Sequence, residues 1–416
     1  MQIAQTRGKR MDNHQFENQF GQQGYGQQTQ AQQGYVQQMQ AQQGYVQQAQ
    51  AQQGYGQQMQ AQQGYVQQMS VQQGYGQQMQ AAPAGPDLKN IRKQISKVGL
   101  IFLAGSIITD IFQFLFRFGV KQINPAWATD PNIVLTINVI ALYLIGMPVI
   151  VLLAKRIKSK PPVKHHMKPW KFPFLFSMCY SIGIICNVVG VILVTLFSLA
   201  SGKTTENAVA NLTSSANIWL LVLYVVIMAP IMEELIFRKV LVDKLHGYGQ
   251  GIAIFLSGLM FGFFHGNLNQ FLFAFPLGMC FAYVYIRTGK IQITILLHMV
   301  TNAMGTFAGF GITRALDMDE YIRVFSSGNS ARMTAYVEQH MGVFLALFAF
   351  IILVFVMVIM GIVCWIVNLC KKRIFLDRAR RVVPEGKAFG VVFGNVGIIL
   401  FSLYWTCVII YYLLFM

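Results

Sequence analysis

Charge is scarce in this 416-residue chain: 11% of positions, with 15 acids against 32 lysines and arginines, while 54% of residues are hydrophobic and the mean hydropathy is +0.45. So little charge excludes the two or three soluble domains that the length alone would allow and points to a polytopic membrane protein. The short alternating segments of a β-barrel are lacking, so the expected spans are helices. Cysteine is sparse too. Cys179, Cys186, Cys280, Cys364, Cys370 and Cys407 lie in or beside apolar runs, with no CxxC pair, which favours core packing over a disulfide or zinc framework. Residues 1–87 contain no apolar run, so no signal peptide is expected there. The formal charge of +17 sits mostly beside the ends of apolar runs, where it orients a membrane protein and meets anionic lipid. Membrane lipid is therefore an expected partner and nucleic acid is not.

Residues 1–87 form a low-complexity tail built on a ten-residue unit, with Tyr25, Tyr35, Tyr45, Tyr55, Tyr65 and Tyr75 in register. From Gly21 to Ala82 there is no charge and almost no aliphatic side chain, so burial cannot offset the entropy of ordering. The tail is expected to be a disordered tether, or a sticky segment that binds itself or a protein partner. Nine apolar segments follow, near 98–120, 133–154, 173–200, 217–238, 250–266, 271–287, 291–310, 343–370 and 389–415, of which the fifth and sixth are short. They divide into an N-terminal hairpin with a basic loop (88–170), a core (171–310) and a loop with the last helices (311–416). The stretch Lys155–Lys171 carries seven Lys/Arg and no acid, and Lys371–Lys387 carries seven with only Asp377 and Glu385 against them. Both are expected to be cytoplasmic, which places the N-terminus inside a cell membrane and the C-terminus outside. A glycosylation sequon at Asn211 falls on the expected outer side.

Against this apolar background, Ala229–Asn302 holds two adjacent carboxylates, an arginine, two histidines and an asparagine. Ionisable groups inside a membrane are costly and mark functional sites by default. Glu234 and Arg238 are spaced i, i+4 with the acid first, the favourable order for a helical ion pair. Glu233 is then left unpaired, as suits a general base. Pro230 removes a helix donor just before the pair and should open the span. Glu233, Glu234 and His265 lie at similar distances from the glycine-rich turn between them, ~22–25 Å at 1.5 Å per residue. His298 and Asn302 share one face of a later helix, so all these groups are expected in one membrane layer. Asp110 and Arg117 in the first span read as a structural polar pair, or a snorkelling arginine.

The motifs EExxxR (Glu233, Glu234, Arg238), FxxxH (Phe261, His265) and HxxxN (His298, Asn302) resemble those of the CPBP family of intramembrane endopeptidases, over residues 170–310. That family includes type II CAAX prenyl endopeptidases and bacteriocin-immunity (Abi) proteins. The resemblance implies an all-α membrane protein with a conical catalytic cavity reached from the cytoplasm, cutting a peptide bond near that face. Glu233 and His265 would activate water, Glu234 and Arg238 would support, and His298 and Asn302 would stabilise the oxyanion. No cofactor is required on this reading. Zinc held by Glu233, His265 and His298 is the alternative, although HExxH is absent. The competing functions are a non-catalytic membrane partner or immunity protein and, last, a transporter, for which no inverted repeat is visible.

Overall fold

The computed structural model describes residues 86–202, 215–316, 318–377 and 382–415. The repeat tail and the Asn211 sequon lie outside these. The chain is a multi-pass, all-helical membrane protein, and no strand occurs among the described residues. Among the described residues, nine apolar helices correspond to the nine apolar segments: α1 (Leu88–Ile123), α2 (Pro131–Ala154), α3 (Pro169–Ser201), α4 (Ile218–Leu245), α5 (Gln250–Phe263), α6 (Leu268–Thr288), α7 (Ile291–Ala315), α8 (Met341–Cys370) and α9 (Val396–Phe415), the last preceded by a break at Gly394 and Asn395. Eight are long and apolar enough to cross a membrane. The fifth, α5, has 14 residues. At ~1.5 Å per residue it falls short of a hydrocarbon core of ~30 Å.

Side-chain caps start the helices where the sequence changes from polar to apolar. Asp87 accepts from the Asn90 amide, Asp130 from Asn132 and Ile133, Asn217 from Trp219, and Asn267 from Gln270. At the far end of α6, Gly289 takes a left-handed conformation, φ +62°, and closes the turn into α7. Glycine also permits the closest helix contacts. Gly258 and Gly262 on α5 abut the backbone of Phe275 on α6, and a Cβ on Gly278 would meet Phe261. This is the small-xxx-small packing of membrane helices. Likewise, a Cβ on Gly397 of α9 would run into the Ser96 carbonyl of α1.

The described parts of the basic segments gather at one end of the bundle. The Lys160 amide donates to the Asp243 carbonyl at 2.6 Å, His165 to Thr288 at 2.8 Å and Val383 to Tyr248 at 3.3 Å. The Arg287 guanidinium stacks 4.3 Å from the Phe375 ring centroid. Arg92, near the start of α1, lies beside Gly394. At the opposite end, the Asn217 amide donates to Asn132 Oδ1 at 2.7 Å. The backbone contact between α1 and α9 yields a prediction: Gly397→Val should cost about 1–3 kcal/mol through overpacking. The measurement is thermal unfolding in detergent, where unchanged stability would mean that the helices do not meet there.

Candidate active site

The motif carboxylates sit on a helix that is not uniformly α. Within α4, π-helical turns at Val222–Met228 and Leu235–Val242 flank the α-helical Ala229–Glu234. In the first π turn the Ala229 amide donates to Tyr224, five residues back. The next donor in that ladder would be Pro230, which has no N–H, so the Val225 carbonyl is left over. Asn302 Nδ2 on α7 fills the gap and donates to Val225 at 2.9 Å. The proline expected to open the span is thus also what ties α4 to α7.

Glu234 and Arg238 form the expected ion pair, Nε to Oε2 at 3.0 Å, with both side chains fully buried. The guanidinium lies over Phe261 (4.8 Å) and Phe281 (5.5 Å) and reaches the Gly278 carbonyl at 3.4 Å. Glu234 Oε1 accepts from His298 Nδ1 at 3.1 Å. Because a carboxylate can only accept, this Nδ1 carries the proton, and Nε2 points towards Glu233 Oε2 at 3.8 Å.

Glu233 keeps 14% of its side-chain surface exposed where Glu234 has none, so Glu233 is the carboxylate that reaches the cavity. It is not unpaired as the sequence implied. Tyr143 on α2 donates to its Oε1 at 3.1 Å. His265 lies just beyond the end of α5, before Gly266 with φ +69°. Its Nδ1 donates to the Phe261 carbonyl at 2.8 Å, which leaves Nε2 as an acceptor. The Phe261 ring touches both histidines, with centroids 4.9 Å from His265 and 5.6 Å from His298.

These residues stand at the base of a cavity of about 1030 Å³ that Glu233, Phe261, His265, His298 and Asn302 all line. Its walls come from Ser106–Arg117, Val134–Tyr143, Tyr180–Asn187, Tyr224–Glu233, Phe261–Leu277, His298–Thr306 and Trp405–Tyr412. None of these stretches reaches the basic end of its helix. The cavity therefore extends from mid-bundle towards the end away from Lys155–Lys171 and Lys371–Asp377. From the sequence both the basic loops and the cavity were expected on the cytoplasmic side, whereas the cavity lining lies on the halves of the helices away from the basic loops. Of the two readings of Asp110 and Arg117, the polar pair is corrected, since the two do not pair, while Arg117 is exposed as a snorkelling side chain would be. Tyr404 Oη donates to Asp110, and Arg117 donates to Asn138 at 3.2 Å. Both line the cavity.

The two histidines turn Nδ1 inward, so each offers only Nε2 to the cavity. Among the described residues, no group of three or more His, Cys, Asp or Glu could hold a metal ion, and Glu233, His265 and His298 do not fit a zinc site.

Comparison with known proteins agrees with the motifs. The family model for type II CAAX prenyl endopeptidase Rce1-like proteins matches residues 215–304. The chain is 29% identical over 200 residues to the putative membrane peptidase YdiL of Bacillus subtilis, covering 45% of this chain and 77% of that protein. It is 25% identical over 178 residues to the membrane-embedded CAAX protease MroQ of Staphylococcus aureus, covering 39% of this chain and 69% of that one. No solved structure gives a significant match.

The Tyr143 contact, between residues 90 positions apart, leads to an expectation of its own. Tyr143→Phe should retain the fold and lower the rate of any Glu233-dependent reaction by about tenfold or more, the worth of a hydrogen bond to a charged group. The check is cleavage rate beside thermal stability in detergent, and an unchanged rate would remove Tyr143 from the site.

Proposed function

We propose that this chain, whose core is that of a CPBP-family membrane protease, is an endopeptidase that hydrolyses a peptide bond inside the bundle with water activated by Glu233. One observation carries the reading: a cavity-facing carboxylate beside a histidine that a second, buried carboxylate holds in place. In this mechanism Glu233 Oε2 takes a proton from water, while Tyr143 fixes Oε1 and His265 Nε2 orients the same water as a second acceptor. Hydroxide adds to the scissile carbonyl. The oxyanion is met by His298 Nε2, which can donate there in the imidazolium form that the Glu234 contact would balance, and by the Asn302 amide hydrogen that Val225 does not use. Glu233 returns its proton to the leaving amine as the tetrahedral intermediate collapses. Arg238 keeps Glu234 ionised and in place, and Phe261 spaces the histidines. The route uses no metal.

With the basic end of the bundle in the cytoplasm by the positive-inside rule, the N-terminus is inside and the cavity is entered from the opposite half of the membrane. The substrate is then a peptide, free or membrane-anchored, that reaches the cavity from that half. Two domain boundaries follow the same reading: residues 171–310 supply the reacting groups, while 88–170 and 311–416 close the walls around them.

Purified protein in detergent with a panel of tethered peptides tests the chemistry. Glu233→Ala and His298→Ala should lose at least about a hundredfold in cleavage, the scale of a lost general base or oxyanion donor. Cleavage at the wild-type rate would sink the assignment, and an in vivo phenotype that survives Glu233→Ala would favour a non-catalytic membrane partner or immunity protein. The entry side has a separate test, on a background without the native cysteines. Asn187→Cys should react with a membrane-impermeant maleimide on intact cells, and Lys160→Cys only after permeabilisation. The reverse pattern would put the cavity on the cytoplasmic side.

A further inference from the structure

The first helix carries a polar stripe that the three motifs leave unexplained. Ser106, the adjacent Thr109 and Asp110, Gln113 and Arg117 follow one another at three- to four-residue steps and all line the cavity. Ser106 and Thr109 are self-satisfied, since their hydroxyls donate to the carbonyls of Phe102 and Gly105 one turn back. Asp110 is different. Its hydrogen bond among the described residues comes from a neutral tyrosine, Tyr404, to Oδ2, and none of the ion pairs among those residues includes it. Apart from Glu233, it is the carboxylate that lines the cavity.

Its level along the bundle can be read from the packing of α1 on α2. Gly146 lies against Thr109, and Tyr143, which holds Glu233, is three residues from Gly146 towards the cavity. Asp110 therefore stands within about one helical turn, ~5 Å in height, of the groups at the cavity base. Arg117, bonded to Asn138, is ~10 Å farther out along the same helix. Neither Tyr404 nor any ion pair among the described residues supplies Asp110 with a positive partner, so the cavity face of this carboxyl is open to a cationic group that enters with a ligand.

We propose that Asp110 is a specificity residue: it forms an anionic subsite beside the scissile bond and selects peptide substrates with a lysine or arginine side chain close to the point of cleavage. This rests on the endopeptidase reading of the same cavity and adds the class of substrate to it. Tyr404 aims the carboxylate, and Gln113, one turn farther out, provides donor and acceptor groups for the peptide backbone. A stripe of this polarity matches a peptide better than a hydrocarbon chain over this part of the wall.

The experiment expresses the full chain as wild type, Glu233→Ala, Asp110→Asn, Asp110→Glu and Asp110→Lys in cells lacking it, and quantifies new peptide termini in the membrane fraction. Termini that depend on Glu233 should show Lys or Arg enriched at one fixed position near the cut. Asp110→Asn should lower that enrichment about tenfold, the scale of a charged hydrogen bond, and Asp110→Glu should keep it. Asp110→Lys should turn the preference towards Asp and Glu, and if that variant fails to accumulate, the Asp110→Asn comparison reads the same preference. Glu233-dependent termini without a charge preference, or with the same preference in every Asp110 variant, would overturn the subsite and leave the endopeptidase reading standing. A total absence of Glu233-dependent termini would remove the endopeptidase reading, and the subsite with it.

Discussion

A fully buried ion pair between Glu234 and Arg238 is the constraint on which the arrangement depends. Placing two charges between membrane helices is costly, and removing one partner from such a pair typically destabilises by about 3–5 kcal/mol because the other charge is left uncompensated. Here the pair is completed from three further helices: His298 from α7, the Phe261 ring from α5, and the Phe281 ring with the Gly278 carbonyl from α6. One charge pair thus sets the relative positions of α4, α5, α6 and α7. That makes a fixed geometry available to Glu233, whose neighbour does the holding.

The two adjacent glutamates divide the work because successive helical residues point about 100° apart. Glu234 turns into the helix contacts, while Glu233 turns to the cavity and to Tyr143. The irregular backbone of α4 belongs to the same design. A π turn ahead of Pro230 releases the Val225 carbonyl, and Asn302 occupies it, so the backbone defect becomes a second tie between α4 and α7. Irregular helix inside a membrane is tolerated where it borders a cavity and its polar groups find partners, as they do here.

Much of this was legible from local spacing. Runs of apolar residues located the helices, i, i+4 spacing located the Glu234–Arg238 pair, and counting from a shared turn brought Glu233 and His265 to one level. What sequence reasoning missed depends on contacts between remote segments. Tyr143 meets Glu233 across 90 positions and Tyr404 meets Asp110 across 294, and neither tyrosine stands out in an aromatic-rich chain. Asp110 and Arg117 were expected to be a polar pair, or Arg117 a snorkelling side chain, yet seven residues along a helix is ~10 Å and each finds its partner on another helix. Which half of each helix lines the cavity was also hidden, since it depends on how the helices pack together.

The division of labour between the two glutamates is the central claim, and paired measurement of thermal stability and cleavage for Glu233→Gln and Glu234→Gln in detergent tests it most directly. Glu233→Gln should unfold close to the wild-type temperature and fail to cleave, whereas Glu234→Gln should lose both stability and activity. Wild-type stability in Glu234→Gln, or full cleavage by Glu233→Gln, would contradict it.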